Sequence, residues 1–206
     1  MSASGPFQDK PALRVESLTL ARGERVLLRG LSFAVGTGDY VELRGGNGSG
    51  KTTLLRALAG FVKPRSGAVV ITGAEEPSLA LHYVGHLNGL KGAATPHAHI
   101  RHWAGLFGAS AARCEFALEC VGLSAQAELP VRVLSQGQAR RLALARLVLA
   151  PRPLWLLDEP AAALDARGRE MLSSLIQTHC ADGGLVVAAV HDPLGPAPTQ
   201  TLTVPA

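Results

Sequence analysis

The sequence predicts an α/β fold built on a mostly parallel core sheet, with an N-terminal antiparallel β-subdomain and an inserted α-helical subdomain. Three observations carry that prediction. A glycine-rich run, Leu43 to Leu55 (LRGGNGSGKTTLL), stands between an alternating strand pattern and a helical one. Short apolar strands then alternate with helices in the second half of the chain, as in parallel sheets covered on both faces. From about residue 85 to residue 134 the strand signals vanish and helical patterns replace them.

Residues 13–20 (LRVESLTL) and 26–35 (VLLRGLSFAV) alternate as two strands joined at the turn Ala21-Arg22-Gly23-Glu24. Gly36-Thr37-Gly38-Asp39 turns into a strand at Tyr40–Leu43, and a helix is expected from Thr53 to Ala59. Lys63 to Gly67 closes that helical region, Ala68 to Thr72 returns as a strand, and a polar stretch from Gly73 to Pro77 precedes a strand at Ala80–Val84. Helices are expected near 98–107 and 111–121, followed by a strong one from Gln138 to Leu149. A wholly apolar strand, Leu154–Leu157, ends in Asp158-Glu159-Pro160. A helix over Ala166–Cys180, a strand over Leu185–Val190 and an edge strand within Thr199–Val204 complete the pattern. The reading is one domain over 1–206, with a core of about 12–84 and 150–206 and a helical insertion of about 85–149.

Composition narrows the class. A chain of 206 residues, 47% hydrophobic and 17% charged, suits a globular domain with a large buried fraction. No apolar run approaches the ~18 residues that cross a bilayer. The start, MSASGPFQDK, lacks the basic and apolar regions of a signal peptide, so a cytoplasmic protein is expected. The net charge is +4, but Lys and Arg are scattered and their tightest group is Arg140-Arg141 with Arg146, so no nucleic-acid partner is expected. Cys114, Cys120 and Cys180 show no metal spacing and read as reduced thiols.

The glycine-rich run has the spacing of a P-loop: Gly45, four residues, then Gly50-Lys51-Thr52. Glycines let consecutive N–H groups curl around an anion, and the following helix N-terminus adds about half a positive charge. Lys51 would reach the β- and γ-phosphates, and the Thr52 hydroxyl would ligate Mg²⁺. Ligands of open α/β sheets sit beyond the carboxyl ends of strands, where Asp158 would hold Mg²⁺ and Glu159 would polarise water. Leu134-Ser135-Gln136-Gly137-Gln138, just before a helix, offers a second phosphate-binding helix N-terminus. Two such cradles fit a head-to-tail dimer with two ATP molecules between the copies.

These elements in order, GGNGSGKTT, LSQGQ, LLDEP, ALD and His191, resemble the ATP-binding-cassette (ABC) ATPases over about residues 12–193. The resemblance implies an ABC-type P-loop NTPase that uses ATP and Mg²⁺ and drives a membrane complex. The ATP-binding residues it implies are Gly45, Gly46, Asn47, Gly48, Ser49, Gly50, Lys51, Thr52 and Thr53, with Thr52 and Asp158 on Mg²⁺. Glu159 is then the general base and His191 the γ-phosphate sensor. Ser135, Gln136, Gly137 and Gln138 act in trans, and Asp165 belongs to a dimer-contact loop. The family's Q-loop glutamine falls on His86, which would link the site to the membrane partner. Its adenine-stacking aromatic falls on Arg22, and a signature glycine on Gln136.

HYVGHLNGLKG, the compact length and VRVLSQGQARRLALARL are similar to one subfamily, the ATP-binding proteins of c-type cytochrome biogenesis, long called haem exporter ATPases. That likeness implies integral membrane subunits of the cytochrome c maturation system as partners, haem met only indirectly, and a peripheral position on the cytoplasmic face of the bacterial inner membrane. Three alternatives stand beside it: an ATP-binding subunit of another exporter, a soluble ABC ATPase acting on nucleic acid, and a nucleotide kinase. The second lacks the coiled-coil insertion or tandem cassettes of that group, and the third leaves LSQGQ and His191 unused. His97, His99 and His102 at i, i+2, i+5 do not share one helical face, so they read as a polar face of the helical subdomain. Trp155 reads as core.

Overall fold

The computed structural model describes residues 7, 10–73 and 80–204, so most of the polar stretch expected after residue 73 lies outside the described residues. β1 (Ala12–Arg22) and β2 (Arg25–Val35) form an antiparallel hairpin. β4 (Ser66–Thr72) pairs with the other edge of β1, giving a three-stranded sheet of order β2-β1-β4. A separate five-stranded sheet joins β3 (Tyr40–Arg44), β5 (Leu81–Val84), β6 (Leu154–Asp158), β7 (Leu185–Ala189) and β8 (Gln200–Thr203). Its order is β5-β6-β7-β3-β8, and every pairing is parallel. The antiparallel opening strands therefore build their own layer rather than extending the parallel sheet.

Successive strand side chains point to opposite faces, and this sheet buries both. Val41 and Leu43 of β3, Leu154 and Leu156 of β6, and Leu185, Val187 and Ala189 of β7 face one core. That core is completed by the antiparallel sheet and by Leu54, Leu55 and Leu58 of α1 (Lys51–Leu58). Trp155, Leu157, Val186 and Ala188 face the other core, against Leu172 and Ile176 of α6 (Ala166–Ala181). Trp155 is core, as its sequence context suggests.

The helical insertion has a third core of its own. Ile100 and Trp103 of α2 (Pro96–Phe107) pack with Cys114, Ala117 and Leu118 of α3 (Ala111–Cys120). They meet Leu142 of α4 (Gln136–Leu144) and Leu149 of α5 (Arg146–Leu149). Two expectations are corrected here. The single helix from Gln138 to Leu149 is two helices that break at Ala145: the Ala143 carbonyl accepts from Arg146 Nε at 2.8 Å, and the Ala145 amide is shared between the Arg141 and Leu142 carbonyls. The histidines of α2 do not form one polar face, because His99 is buried and its ring accepts from the Lys91 amide at 3.1 Å. His97 is the one facing carboxylates, with Nδ1 2.7 Å from Glu128. No helix among the described residues is long and apolar enough to cross a membrane.

Two more histidines lie deep in the core. His82 donates to the Ala150 carbonyl (2.8 Å), and His179 contacts the Pro153 carbonyl (3.0 Å) while stacking on Trp155. Burial disfavours their charged forms and pushes their pKa values down, to about 3 and about 4. The unfolded chain protonates them near the usual value of about 6.5, so the stability they contribute is present above that pH and lost as pH falls below it. Denaturant titrations between pH 6.5 and 5 should show unfolding free energy dropping by up to about 1.4 kcal/mol per pH unit per histidine, and His82→Gln should remove its share of that slope while leaving those of His179 and the buried His99.

Candidate active site at the carboxyl edge of the parallel sheet

β3 runs directly into the glycine-rich turn. A side chain at Gly45 would strike the Val204 carbonyl and crowd the Ser49 hydroxyl, so the chain passes too closely there for any other residue. Gly50 takes the left-handed conformation (φ 104°) at the N-cap of α1. A side chain caps each of α2, α3, α4 and α6, namely Thr95, Ser110, Ser135 and Asp165, whereas α1 has no side-chain cap and no carboxylate in its first turn. Its leading amides are left to an outside acceptor, which is what an anion-binding helix start requires. Lys51 is buried against the loop, donating to the Gly45 and Gly46 carbonyls at 2.7 and 3.1 Å. The buried Ser49 hydroxyl has no hydrogen-bond partner among the described residues. Asn47 and Gly48 lie exposed at the tip of the loop, and Thr53 sits in the first turn of α1.

Asp158 ends β6, and its Oδ1 accepts from the Thr52 hydroxyl at 3.1 Å. Only 2% of Asp158 is exposed, and its second oxygen, Oδ2, has no partner among the described residues. Burial raises its pKa, against the opposing hydrogen bond from Thr52. A buried carboxylate oxygen left bare beside a threonine hydroxyl and a phosphate-binding turn fits a hard divalent cation.

Glu159 comes next in the chain and adopts φ 48°, a region that side-chain-bearing residues seldom occupy. Its amide donates to the Ala189 carbonyl across the sheet at 3.0 Å. The turn aims the carboxylate between two histidines: His191 Nε2 lies 3.0 Å from Oε1, and His86 Nδ1 lies 3.3 Å from Oε2. His191 follows β7 by two residues, and His86 follows β5 by two. Neighbouring parallel strands thus bring together three side chains far apart in sequence. The result is a carboxylate flanked by imidazoles next to the glycine-rich turn, an arrangement able to polarise a water beside a bound phosphate.

Other singled-out residues are placed differently. Ser135 and Gln138 form a reciprocal capping box at the start of α4, with bonds of 3.1 and 2.9 Å. Ser135 and Gln136 are exposed, while a Cβ at Gly137 would lie 2.8 Å from the Ala163 carbonyl oxygen of the same chain. Asp165 caps α6 through the Gly168 amide at 2.8 Å. Arg22 is exposed at the end of β1 opposite Arg25, and it is Leu27 of β2 that lies against Gly50. Sequence reasoning missed Arg140, whose buried guanidinium binds the backbone on both sides of Glu159. The available signal was the Arg140-Arg141 pair itself, in which Arg140 falls among the buried residues of α4.

Residues 17–162 match the family model described as ABC transporter. The chain is 44% identical to the cytochrome c biogenesis ATP-binding export protein CcmA of Hyphomonas neptunium, over 94% of this chain and 97% of that one. It is 43% identical to the protein of the same name from Rhodopseudomonas palustris, over 86% and 90%. This chain is a CcmA-like member of the ABC transporter family. Among solved structures, a putative ABC transporter ATP-binding protein from Pyrococcus furiosus superposes with a TM-score of 0.82 at 21% identity, covering 94% of this chain and 97% of that one. A bacterial Atm1-family ABC exporter with ATP bound gives 0.81 at 24% identity, over 95% of this chain and 37% of the exporter. As an ABC ATPase the chain binds and hydrolyses ATP.

In this ABC ATPase, Gly45→Ala should weaken ATP binding more than tenfold in a fluorescent-nucleotide titration while leaving far-UV circular dichroism unchanged. Binding within twofold of the parent would show that the approach of residue 45 to Val204 does not shape the cradle.

Proposed function

We propose that this chain is the ATP-hydrolysing subunit of a membrane complex for c-type cytochrome biogenesis, coupling hydrolysis to haem export or to release of a haem chaperone. The observation that carries the reading is the Glu159 carboxylate held by His86 and His191 beside the P-loop, in a chain whose relatives carry that role in their names. The Gly45–Thr53 segment binds the phosphates, and Lys51 turns its ammonium from the loop carbonyls toward the β- and γ-oxygens. Thr52 and Asp158 would hold Mg²⁺, which supplies neutralisation of phosphate charge. Glu159 polarises the attacking water and takes its proton. His191 moves from Oε1 to the γ-phosphate, freeing that oxygen for the water.

Two copies pack head to tail, so that Ser135, Gln136 and Gly137 of each reach the nucleotide held by the other, with Asp165 near the contact and Gln138 keeping the α4 start in shape. Arg22 lies flat against the base. His86 joins the reacting centre to integral membrane subunits of a cytochrome c maturation complex, which the chain meets on the cytoplasmic face of the inner membrane. Haem itself is handled by those partners.

Glu159→Gln should keep ATP binding and lower kcat by about 10²–10⁴-fold, the usual contribution of a positioned general base; retained turnover would remove Glu159 from that role. In cells carrying only Lys51→Ala at normal protein level, a haem stain should show no covalently bound haem in c-type cytochromes. Normal cytochromes would leave the ATPase chemistry standing and assign the chain to another exporter, to be found through the membrane proteins that co-purify.

A further inference from the structure

Arg140 lies five residues beyond Ser135 on α4 and is 2% exposed. A guanidinium carries five N–H donors, and each of these finds an acceptor. Nε donates to the Pro160 carbonyl at 3.1 Å. Nη1 donates to the Gly85 carbonyl at 2.8 Å and to Asn88 Oδ1 at 3.1 Å. Nη2 donates to the Asp158 and Glu159 carbonyls, both at 2.9 Å. Among the described residues no carboxylate accepts from it directly; the acceptors are four backbone carbonyls and one side-chain amide.

The position of those acceptors matters. Gly85 and Asn88 bracket His86, while Asp158, Glu159 and Pro160 form the turn that carries the carboxylate. Glu159 sits at φ 48°, and a backbone held in such a region persists only where its surroundings over-determine it. The Nη2 fork grips the carbonyls on both sides of that strained residue, while Nη1 grips the loop that brings His86 to the carboxylate. Arg140 thus holds the backbone under Glu159 and the loop under His86 without bonding to either side chain.

The same helix starts at Ser135 and Gly137. Gly137 rests against the Ala163 carbonyl, four residues past Glu159. From Ser135 to Arg140 is about 7.5 Å along a helix axis, less than one and a half turns of one continuous helix. We propose that Arg140 is a positioning residue that ties the start of α4 to the catalytic carboxylate of its own chain. A nucleotide phosphate of the second copy, docking at Ser135, thereby adjusts Glu159 in the first. This rests on the head-to-tail reading given above.

The test uses the complex with its membrane subunits, assembled with two differently tagged copies of this chain, one of them Glu159→Gln. Arg140→Met is placed either on the copy that keeps Glu159 or on the Glu159→Gln copy, and single-turnover ATP hydrolysis is measured. Both arrangements contain one altered arginine, so a general folding defect lowers both alike. The expected result is a rate at least tenfold lower when the change is on the Glu159-bearing copy, with ATP Kd within twofold, and a far smaller loss in the other arrangement. Equal losses, or less than a twofold loss on the Glu159-bearing copy, would overturn the proposal. Should the Met chain fail to assemble, Arg140→Lys replaces it under the same criteria, since a lysine offers three donors from one point. If the mixed parent does not turn over, the comparison moves to the complex with both copies Arg140→Met. There hydrolysis must fall tenfold with ATP affinity and ATP-driven closure retained, and joint loss of all three overturns the proposal. Full turnover with both copies Glu159→Gln would instead sink the catalytic reading beneath it.

Discussion

The parallel register of four neighbouring strands is the constraint on which this molecule depends. β5, β6, β7 and β3 lie side by side with Val84 opposite Leu157, Asp158 opposite Ala189, and Leu43 opposite Ala189. Because the strands are parallel, all four chains leave the sheet at the same edge. They deliver His86, Asp158 with Glu159, His191 and the glycine-rich turn to one place. A slip of one residue in β6 would turn Asp158 to the opposite face and exchange the apolar sets of both cores. The alternation of Leu154 and Leu156 against Trp155 and Leu157 between two cores therefore fixes the site as well as the fold.

At that edge the usual rules of polar satisfaction are relaxed at the residues of the candidate site. α1 lacks the side-chain cap that α2, α3, α4 and α6 possess. Asp158 and Ser49 keep bare buried oxygens, and Glu159 holds a strained backbone. Each unsatisfied group costs free energy in isolation, typically about 1–3 kcal/mol, and the deep apolar layers on either side of the sheet offset it. By contrast the arginine beneath the site is saturated. Arg140 uses every donor it has, and burial that would weaken its charge is opposed by the nearby Asp158 and Glu159 carboxylates. A satisfied support below unsatisfied polar groups is the arrangement expected of a preorganised centre.

Much of this was legible before any coordinates. The period-two apolar patterns of 13–20 and 26–35 became β1 and β2, and the apolar run Leu154–Leu157 became the strand that ends at Asp158. Local patterns read well where one side of an element is buried throughout. The pattern over Gln138–Leu149 misled, since it is continuous in sequence yet the helix breaks at Ala145, where the Arg146 side chain takes the Ala143 carbonyl. His99 misled likewise: it stands in sequence among His97, Arg101 and His102, but it is buried, its ring tilted against Trp103 and bonded to the Lys91 amide.

The sequence by itself determined which chemical groups are present and which strand ends carry them, because a P-loop, an acidic strand terminus and a capping box are local patterns within a few residues. Tertiary structure alone decided which groups meet. The contacts of His86 and His191 with Glu159 span 73 and 32 positions of chain, and the hydrogen bonds of Arg140 to Gly85 and Pro160 span 55 and 20. Such contacts follow from strand order and from the path of α4 over the sheet edge, and neither is written in any single stretch of residues.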